Sequence, residues 1–511
     1  LDDPDAFALL QKGETKGVFQ LESAGIRDLL IKMKPDVFND IIATNALYRP
    51  GPLNGGMVDD YIDCKHGRKQ PNYPHAVMRE ILEETHGVMV YQEQVMRILN
   101  RLGGIELSAA YQCIKAISKK KTELIAKNKV QFVAGAVERG LAKEKAAEIF
   151  DLIEFFGGYG FNKSHSTAYA LVAYQTAYLK AHFPTEYMAA LLSSEIDGAE
   201  RDKLVEHIED CRRMGIEVLP PNVNDGEAEF SVVDQGKIAF SLAAIKGVGL
   251  KAVEAIVKER REKGPFAHIG DFLERVSPQV VTPGNVEILI KAGAFDRMGG
   301  NRAQLLAALP RLVQGAQTAQ EDRKRGQRNL FEAIADDPPK PSRGKNAKTD
   351  ANGHAHTNGA LNGHGNGALN GKGRGATATL DPQADEIAAL LNLPNLPEMA
   401  DALKLAEEKK VLGFYMSSHP LTRHAAMIRA LASHSIEQLA DVPEKTEVIL
   451  GGMIATMQIK NVQKSRSGLT RMAKLTFEDL TGSVPAMLWP EEFAKLEAVV
   501  KEDALGFVKG T

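Results

Sequence analysis

Apolar side chains recur along residues 1 to about 217 on the spacing of a helix face. Segments 142–155 and 202–214 show this amphipathic period most clearly. Residues 1–7 form an acidic, proline-containing start of the kind that caps a helix. This part of the chain is therefore predicted to be rich in helices.

The pattern changes after residue 217. Two short segments, 229–233 and 237–241, predict strands, and helical periods follow them to about residue 335. Later in the chain, residues 398–411 predict a helix, and alternating apolar positions predict strands at 447–457, 471–477 and 483–489. The sequence thus predicts a multidomain, mainly α protein with a small β domain at its C-terminal end.

Residues 336–396 differ from the rest in composition. Asn-Gly pairs recur there with almost no aromatic or β-branched residues, which predicts a disordered low-complexity linker. His354, His356 and His364 lack cysteine or carboxylate partners, so a solvated linker is favoured over a metal-binding tract. These changes predict four zones: 1–217, 218–335, 336–396 and 397–511.

Composition and charge are those of an ordinary soluble protein. The 511 residues are 44% hydrophobic and 25% charged, enough for several domains with cores of their own. The net charge of −3 gives no overall positive field for nucleic acid, although local basic clusters matter more. Cys64, Cys113 and Cys211 fit neither a zinc nor a disulfide spacing.

The sequence shows no membrane-spanning run and no signal peptide, so a cytoplasmic location is predicted. The chain starts at Leu1 inside a predicted helix start and stops directly after an apolar, strand-like run at 504–508. We therefore expect it to be part of a longer protein.

A glycine-rich turn precedes a long apolar helix in the middle of the first zone. Gly157, Gly158 and Gly160 lead into Asn162, and Lys163 and His165 then fall in the first helical turn. A helix N-terminus offers unpaired N–H groups and a positive dipole end, so cations at that point favour phosphate binding. An ordinary capped helix with an exposed lysine and histidine remains the alternative.

Two further basic segments suit the same chemistry. Arg49 precedes a Pro-Gly-Pro stretch that fixes an extended backbone, so its guanidinium is well presented for two-pronged phosphate contact. Lys119, Lys120 and Lys121 form a cationic run. Between Arg49 and these lysines, residues 88–96 predict a strand that runs into a helix.

Four of these segments, taken in order, resemble the fingers domain of the alpha-subunit family of bacterial replicative DNA polymerase III. They are Tyr48-Arg-Pro-Gly-Pro52, Val90-Tyr-Gln-Glu-Gln-Val-Met96, Lys119-Lys-Lys121 and Gly158-Tyr-Gly-Phe-Asn-Lys-Ser-His-Ser166. The resemblance implies that Arg49, Lys163 and His165 line the triphosphate of the incoming dNTP. It places the three lysines nearby, on nucleotide or template.

A Gly-x-Gly turn between two helical periods is similar to a helix-hairpin-helix. Gly247 and Gly249 can expose backbone amides that hold a DNA phosphate, and Lys246 and Lys251 would strengthen the contact. The alternative is a plain pair of helices that needs glycine for its turn. The polymerase family carries such an element in the same place, which favours binding of primer-template DNA.

A short segment after a basic stretch resembles the peptide that binds the sliding clamp. In it Gln327 would hydrogen-bond, while Leu330 and Phe331 would fill an apolar pocket of the clamp. The alternative is that the two apolar side chains close the preceding helices.

The last zone resembles the OB-fold of the same family, cut short within the barrel. Lys460, Lys464, Arg466 and Arg471 around its first hairpin suit a single-stranded template. Phe477 and Trp489 alternate as core residues do, so neither is assigned to base stacking.

No catalytic residue or metal ligand is assigned to this chain. The acidic cluster at 59–63 is interpreted as a solvated helix start, whereas DNA synthesis needs carboxylates that hold two Mg²⁺ ions. The resemblance places those carboxylates in a palm domain before Leu1. It also implies proofreading and clamp-loader subunits as partners and no membrane, and it predicts that this chain alone is inactive.

The match departs from the family at Ile114 and Lys115, where two arginines are usual, so contact with the nucleotide is predicted to be weaker there. Two other hypotheses stay open. The chain is either a non-catalytic DNA- and clamp-binding accessory protein or part of an error-prone translesion paralogue.

Overall fold

The computed structural model describes residues 1–157, 160–196, 201–324, 387–461 and 469–511. The chain divides into two compact units. One contains residues 1–219 and 229–239, and the other contains residues 220–228 and 240–511. The predicted linker falls mostly outside the described residues, as do Gly158, Gln327, Leu330 and Phe331.

The first unit is built of helices and ends in a small sheet. Its helices are α1 (Pro4–Lys12), α2 (Ala24–Met33), α3 (Phe38–Leu47), α4 (Pro50–Asn54), α5 (Met57–Lys65), α6 (Ala76–Leu82), α7 (Gln92–Arg101), α8 (Leu107–Ser118), α9 (Thr122–Glu138), α10 (Lys143–Gly157), α11 (Lys163–His182), α12 (Pro184–Ser194) and α13 (Arg201–Arg213), with a 3-10 turn at Glu83–Thr85. The strands β1 (Glu217–Val218), β2 (Ser231–Asp234) and β3 (Lys237–Ala239) are arranged in the order β1-β3-β2.

Two apolar cores among the described residues hold ten of these helices. The first joins α1, α2, α3, α5 and α11 through buried residues such as Ile41 and Ala173. The second joins α6 to α10, with the rings of Phe132 and Phe150 5.6 Å apart at their centroids. Met57 packs against both cores.

Buried charges in the first unit are paired. Asp40, which is 1% exposed, accepts hydrogen bonds from the Tyr61 hydroxyl at 3.1 Å and the Lys65 ammonium at 2.8 Å. The ammonium of Lys180, also 1% exposed, lies 2.9 Å from a carboxylate oxygen of Asp210. Because a buried charge is costly unless paired, these contacts fix the relative positions of α3, α5, α11 and α13.

The second unit contains a helical part and a sheet. Its helices are α14 (Leu250–Lys263), α15 (Ile269–Arg275), α16 (Pro283–Lys291), α17 (Arg302–Lys324), α18 (Asp401–Leu412), α19 (Ala425–Leu431) and α20 (Pro490–Leu496), with 3-10 turns at Thr422–His424 and Glu437–Asp441. Its strands are β4 (Val448–Asn461), β5 (Arg471–Glu478), β6 (Ser483–Leu488) and β7 (Leu505–Gly510).

The four strands form a curled antiparallel sheet in the order β6-β5-β4-β7. The pairing of β4 with β5 shifts between Ile454 and Thr456, an irregularity of the kind that bends a strand. Phe477, 2% exposed, and Phe493, 1% exposed, anchor the core of the sheet. The mainly α fold with a small OB-like β domain is thereby confirmed.

One core prediction is wrong. Trp489 is 60% exposed, whereas Phe477 is buried as predicted. The strand ends at Leu488, and Trp489 then becomes the N-cap of α20, directly before Pro490. Alternation along a strand no longer decides which way a side chain faces once the strand has ended.

The three cysteines are free thiols. Burial raises the pKa of Cys113 to about 11 and that of Cys211 to about 12, so both stay protonated at neutral pH. Cys64 is half-buried, and its pKa is also raised by burial. Within the described part of the chain, no helix combines the length and the apolar character needed to cross a membrane.

Candidate functional site

The N-terminus of α11 is occupied by side chains of the protein itself. Asn162 caps the helix, and its amide oxygen accepts a hydrogen bond from the backbone N–H of His165 at 2.8 Å. A carboxylate oxygen of Glu93 accepts one from the backbone N–H of Lys163 at 3.0 Å, and its other oxygen accepts from the Asn162 amide at 2.8 Å. A carboxylate therefore sits at the helix end for which the sequence predicts a phosphate.

The side chain of Lys163 is also engaged. Its ammonium lies 2.5 Å from a carboxylate oxygen of Glu84 and 5.4 Å from the centroid of the Tyr91 ring. Both members of the ion pair are about one-third exposed. Sequence reasoning missed Glu84 and Glu93 as partners because they lie 79 and 70 residues from Lys163 along the chain.

The predicted strand-to-helix segment pairs with the glycine-rich turn. The backbone N–H of Gln92 donates to the carbonyl of Phe161 at 2.9 Å, and the amide side chain of Gln92 donates to the carbonyl of Gly160 at 2.9 Å. Tyr91 and Phe161 form an isolated parallel bridge. This pairing fixes the direction in which α11 starts, and with it the position of His165.

Arg49 and His165 come together on one side of this turn. Arg49 has an extended backbone, with φ −146° and ψ 153°, as the following proline predicts. Its guanidinium carbon lies 4.1 Å from the centroid of the Phe161 ring. The rings of Phe161 and His165 are 5.5 Å apart, and those of His165 and Tyr169 are 4.3 Å apart. Stacking on the Phe161 ring holds the guanidinium in place and leaves its edges open for hydrogen bonds.

These side chains border a cavity of about 210 Å³, which we call the Arg49 cavity. No carboxylate is among the described residues that line it, and Lys163 does not line it either. The cavity therefore offers hydrogen-bond donors and a positive charge without a built-in counter-ion. Its lining consists of Gln20, Ile26, Asn45, Tyr48, Arg49, Phe161, His165 and Tyr169.

The three-lysine run forms the exposed turn between α8 and α9. Lys120 adopts a left-handed backbone conformation, with φ 54°. The hydroxyl of Ser118 donates to the carbonyl of Gly157 at 3.0 Å, so the turn lies beside the start of the glycine-rich segment. Ile114, one of the two departures from the family, is 2% exposed in the second core, and Lys115 lies 4.5 Å from the centroid of the Tyr111 ring.

The acidic cluster of α5 does not fit a two-Mg²⁺ site. Asp60 pairs with Lys69 at 2.6 Å and Asp63 with Arg68 at 2.7 Å, and both carboxylates are more than 40% exposed. Catalytic metal sites use carboxylates that converge on the ion in a dry cavity. No chemical step is therefore assigned to this cluster.

The Gly-x-Gly turn of the second unit needs its first glycine. Gly247 has φ 88°, and a Cβ there would lie 2.7 Å from a methyl carbon of Ile288. The side-chain amide of Asn285 donates to the carbonyl of Gly247 at 2.9 Å, and the backbone N–H of Lys246 donates to the carbonyl of Val411 at 2.8 Å. The turn is thus held rigidly between α16 and α18.

The far side of this turn is open. Gly249 is the N-cap of α14 and supplies no side-chain cap. Among the described residues, the backbone N–H groups of Gly249, Leu250 and Lys251 have no hydrogen-bond acceptor. The side chains of Lys246 and Lys251 are exposed next to them. Unpaired amides at a helix start, flanked by two cations, have the chemistry that suits a phosphate group.

The basic residues of the sheet are only partly described. Lys460 is exposed near the end of β4. Arg471 lies 2.6 Å from a carboxylate oxygen of Glu497, so its charge is balanced within the protein. Lys464 and Arg466 lie outside the described residues, as does the clamp-binding segment at Gln327, Leu330 and Phe331.

Comparison with known proteins agrees with the resemblance seen in the sequence. Residues 1–140 match the family model of the bacterial DNA polymerase III alpha subunit finger domain, and residues 215–305 match a helix-hairpin-helix motif. The chain is 37% identical over 530 aligned residues to DNA polymerase III subunit alpha of Pseudomonas aeruginosa, 39% to that of Thermus aquaticus and 34% to that of Escherichia coli. These alignments cover 98–100% of this chain but only 37–40% of each relative.

Proposed function

The chain is related along its whole length to bacterial DNA polymerase III alpha subunits, and we propose that it forms the nucleotide- and DNA-holding part of such a subunit. The complete subunit would then carry out template-directed DNA synthesis from dNTPs in the cytoplasm. The observation that carries the proposal is that Arg49 and His165, 116 positions apart, line one cavity without a carboxylate.

In this proposal the Arg49 cavity receives the phosphates of the incoming dNTP. The guanidinium of Arg49 donates two hydrogen bonds to phosphate oxygens, and His165 adds a donor from the facing helix. Glu93 touches no substrate but holds the start of α11, and so positions His165 and Phe161. Preorganised donors of this kind bind charge without having to reorient during the reaction.

The exposed turn next to the glycine-rich segment contains Lys119, Lys120 and Lys121. In this proposal these lysines contact either the incoming nucleotide or the template. Lys163 contributes less directly, because its ammonium is already neutralised by Glu84. We propose that the Mg²⁺ ions are held by palm carboxylates outside this chain, so that the residues described here bind and orient nucleotide but do not make the bond.

The helix-hairpin-helix is proposed to hold the backbone of the primer-template duplex. We expect the double substitution Lys246→Ala and Lys251→Ala to make the negative slope of log affinity against log salt shallower by about 2, since each phosphate contact contributes about −0.9 to it. Anisotropy of a fluorescent duplex, titrated with the chain over a salt series, measures this slope.

The matched control is Lys258→Ala with Lys263→Ala, which removes the same amount of charge from α14, the helix that contains Lys251. These lysines pair with Glu262 at 3.9 Å and Glu259 at 2.8 Å, away from the glycine turn. Equal slopes for the two double variants would mean that net charge alone sets the salt dependence of DNA binding. The hairpin would then make no specific contact with the phosphates.

The remaining assignments are proposals from the resemblance. Residues 1–217 act as fingers, residues 218–335 bind duplex and the sliding clamp, and the sheet of residues 397–511 contacts the single-stranded template. Proofreading and clamp-loader subunits are the further partners that a complete subunit implies.

The clamp assignment has a direct test in the complete subunit. We expect Leu330→Ala with Phe331→Ala to abolish the stimulation of long-product synthesis by the sliding clamp, because the two side chains fill its apolar pocket. Synthesis without the clamp should be unchanged. Leu361→Ala with Leu369→Ala is the control in the same stretch of chain, and clamp stimulation that survives in the first variant would exclude this peptide as the tether.

A further inference from the structure

One wall of the Arg49 cavity contains a polar group that the protein leaves unpaired. Asn45 lies near the end of α3, and its side-chain nitrogen Nδ2 is buried without a hydrogen-bond partner among the described residues. The other such atom is Nδ1 of His207, which does not line this cavity. A buried donor without an acceptor costs free energy, so its retention calls for an explanation.

We propose that Asn45 is a nucleotide-binding residue, whose amide donates a hydrogen bond to a polyphosphate oxygen held by Arg49. This inference rests on the proposed function of the cavity and adds a donor to it. Asn45 reaches the cavity from the end of α3 and Arg49 from the residue before α4, and His165 lines the same cavity from α11.

The chemistry of the wall fits an anion. Arg49 supplies a fixed positive charge, and Asn45 supplies a donor that no protein atom uses. The torsion about the terminal bond of an asparagine is broad, which lets the amide turn toward a bound phosphate. The bound phosphate would then satisfy the donor that the free protein leaves unsatisfied.

The backbone of another lining residue gives a second sign of a functional site. Gln20 lines the cavity with φ 64°, a left-handed conformation that is uncommon for residues other than glycine. Such backbone strain is concentrated at ligand sites, where the surrounding structure imposes it. Tyr48 also lines the cavity, and its hydroxyl lies where a Cβ on Gly25 would come within 2.2 Å of it. The cavity is therefore shaped by a residue held in an unusual conformation and by a glycine that makes room.

Calorimetric titration of the 511-residue chain with dATP, inorganic tripolyphosphate and deoxyadenosine tests the proposal. We expect Asn45→Ala to weaken dATP and tripolyphosphate binding by about tenfold, the usual order for one hydrogen bond to a charged group. Asn45→Asp has the same shape but replaces the donor by a negative charge, so it should weaken both further. The response to deoxyadenosine, which has no phosphate, should not change.

Two comparisons separate the outcomes. If Arg49→Ala weakens tripolyphosphate binding while Asn45→Ala and Asn45→Asp leave it unchanged, Asn45 has no role in binding and the cavity keeps its proposed function. If tripolyphosphate does not bind the wild-type chain, or if Arg49→Ala has no effect on its binding, the proposed function of the cavity and the role of Asn45 both fall. Asn128→Ala, at a partly exposed asparagine of α9 whose amide donates to the carbonyl of Leu124, is the matched control and should bind as the wild type does.

Discussion

Replacing Arg49 by alanine in the complete subunit is expected to lower kcat/KM for dNTP incorporation by about a hundredfold. A hydrogen bond to a charged group contributes about 1.5–3 kcal/mol, and about 1.4 kcal/mol corresponds to a factor of ten. Loss of a two-pronged phosphate contact therefore accounts for a change of this size. Steady-state incorporation of a single nucleotide, measured over a range of dNTP concentrations, gives the value.

The loss in kcat/KM is expected to divide unequally between kcat and KM. Arg49 is expected to bind the phosphates of both ground state and transition state, so the apparent KM should rise more than kcat falls. Arg49→Lys keeps the positive charge but loses the planar guanidinium that makes two parallel hydrogen bonds. Its kcat/KM should therefore lie between those of wild type and Arg49→Ala. Lys163→Ala should lower kcat/KM less than Arg49→Ala does, because the ammonium of Lys163 is already paired with Glu84.

Arg68→Ala is the matched control for Arg49. It removes an arginine whose side chain is 57% exposed and paired with Asp63 on the surface of the same unit. A kcat/KM for Arg49→Ala that stays within about twofold of wild type, as it should for Arg68→Ala, would contradict the assignment of the cavity.

Replacing Arg302 by alanine is expected to destabilise the second unit by about 3–5 kcal/mol, the range found when one partner of a buried ion pair is removed. The guanidinium of Arg302 donates to Glu408 at 2.8 Å and to Asp296 at 2.7 Å. The side chains of Arg302 and Glu408 are 4% and 1% exposed. Without the arginine, Glu408 is left as an uncompensated buried charge.

The groups around the Arg302–Glu408 pair hold both side chains in their buried positions. The second oxygen of Glu408 accepts backbone hydrogen bonds from Met416 at 3.2 Å and Ser417 at 3.0 Å, so α18 and the segment after it depend on the same carboxylate. A Cβ on Gly293, which has φ 84°, would lie 2.3 Å from a guanidinium nitrogen of Arg302. The glycine is required to admit the arginine.

Urea denaturation followed by far-ultraviolet circular dichroism measures the effect. The double variant Arg302→Met with Glu408→Leu should recover most of the stability, because apolar residues of similar size replace both charges. Lys291→Ala removes a less buried cation that pairs with Glu287 and Glu407, and should cost about 1 kcal/mol or less. If Arg302→Ala is no more destabilising than Lys291→Ala, the buried pair does not hold α17 to α18.

Local patterns in the sequence predicted the elements well. The amphipathic segment 142–155 is α10 (Lys143–Gly157), and the alternating segment 471–477 is β5 (Arg471–Glu478). These predictions succeed because one buried face repeats with the period of its own element. The prediction for Trp489 was wrong because burial there depends on the end of the strand, which the alternation does not reveal.

The candidate site could be predicted only in part. The residue types at Arg49 and His165 pointed to phosphate, and the fold places them in one cavity. Neither the carboxylate of Glu93 at the start of α11 nor the unpaired amide of Asn45 was visible in the sequence. Both depend on which helices meet, and contacts over such separations follow from the whole packing rather than from local spacing.

The central claim, that the Arg49 cavity and the turns beside it hold the incoming nucleotide, is tested most directly by hydrogen–deuterium exchange. The complete subunit on a primer-template would be compared with and without the dNTP that pairs with the next template base. The account predicts slower exchange at residues 45–49, 118–121 and 160–166 when that dNTP is bound. Unchanged exchange in all three segments, while the same complex incorporates the nucleotide, would contradict it.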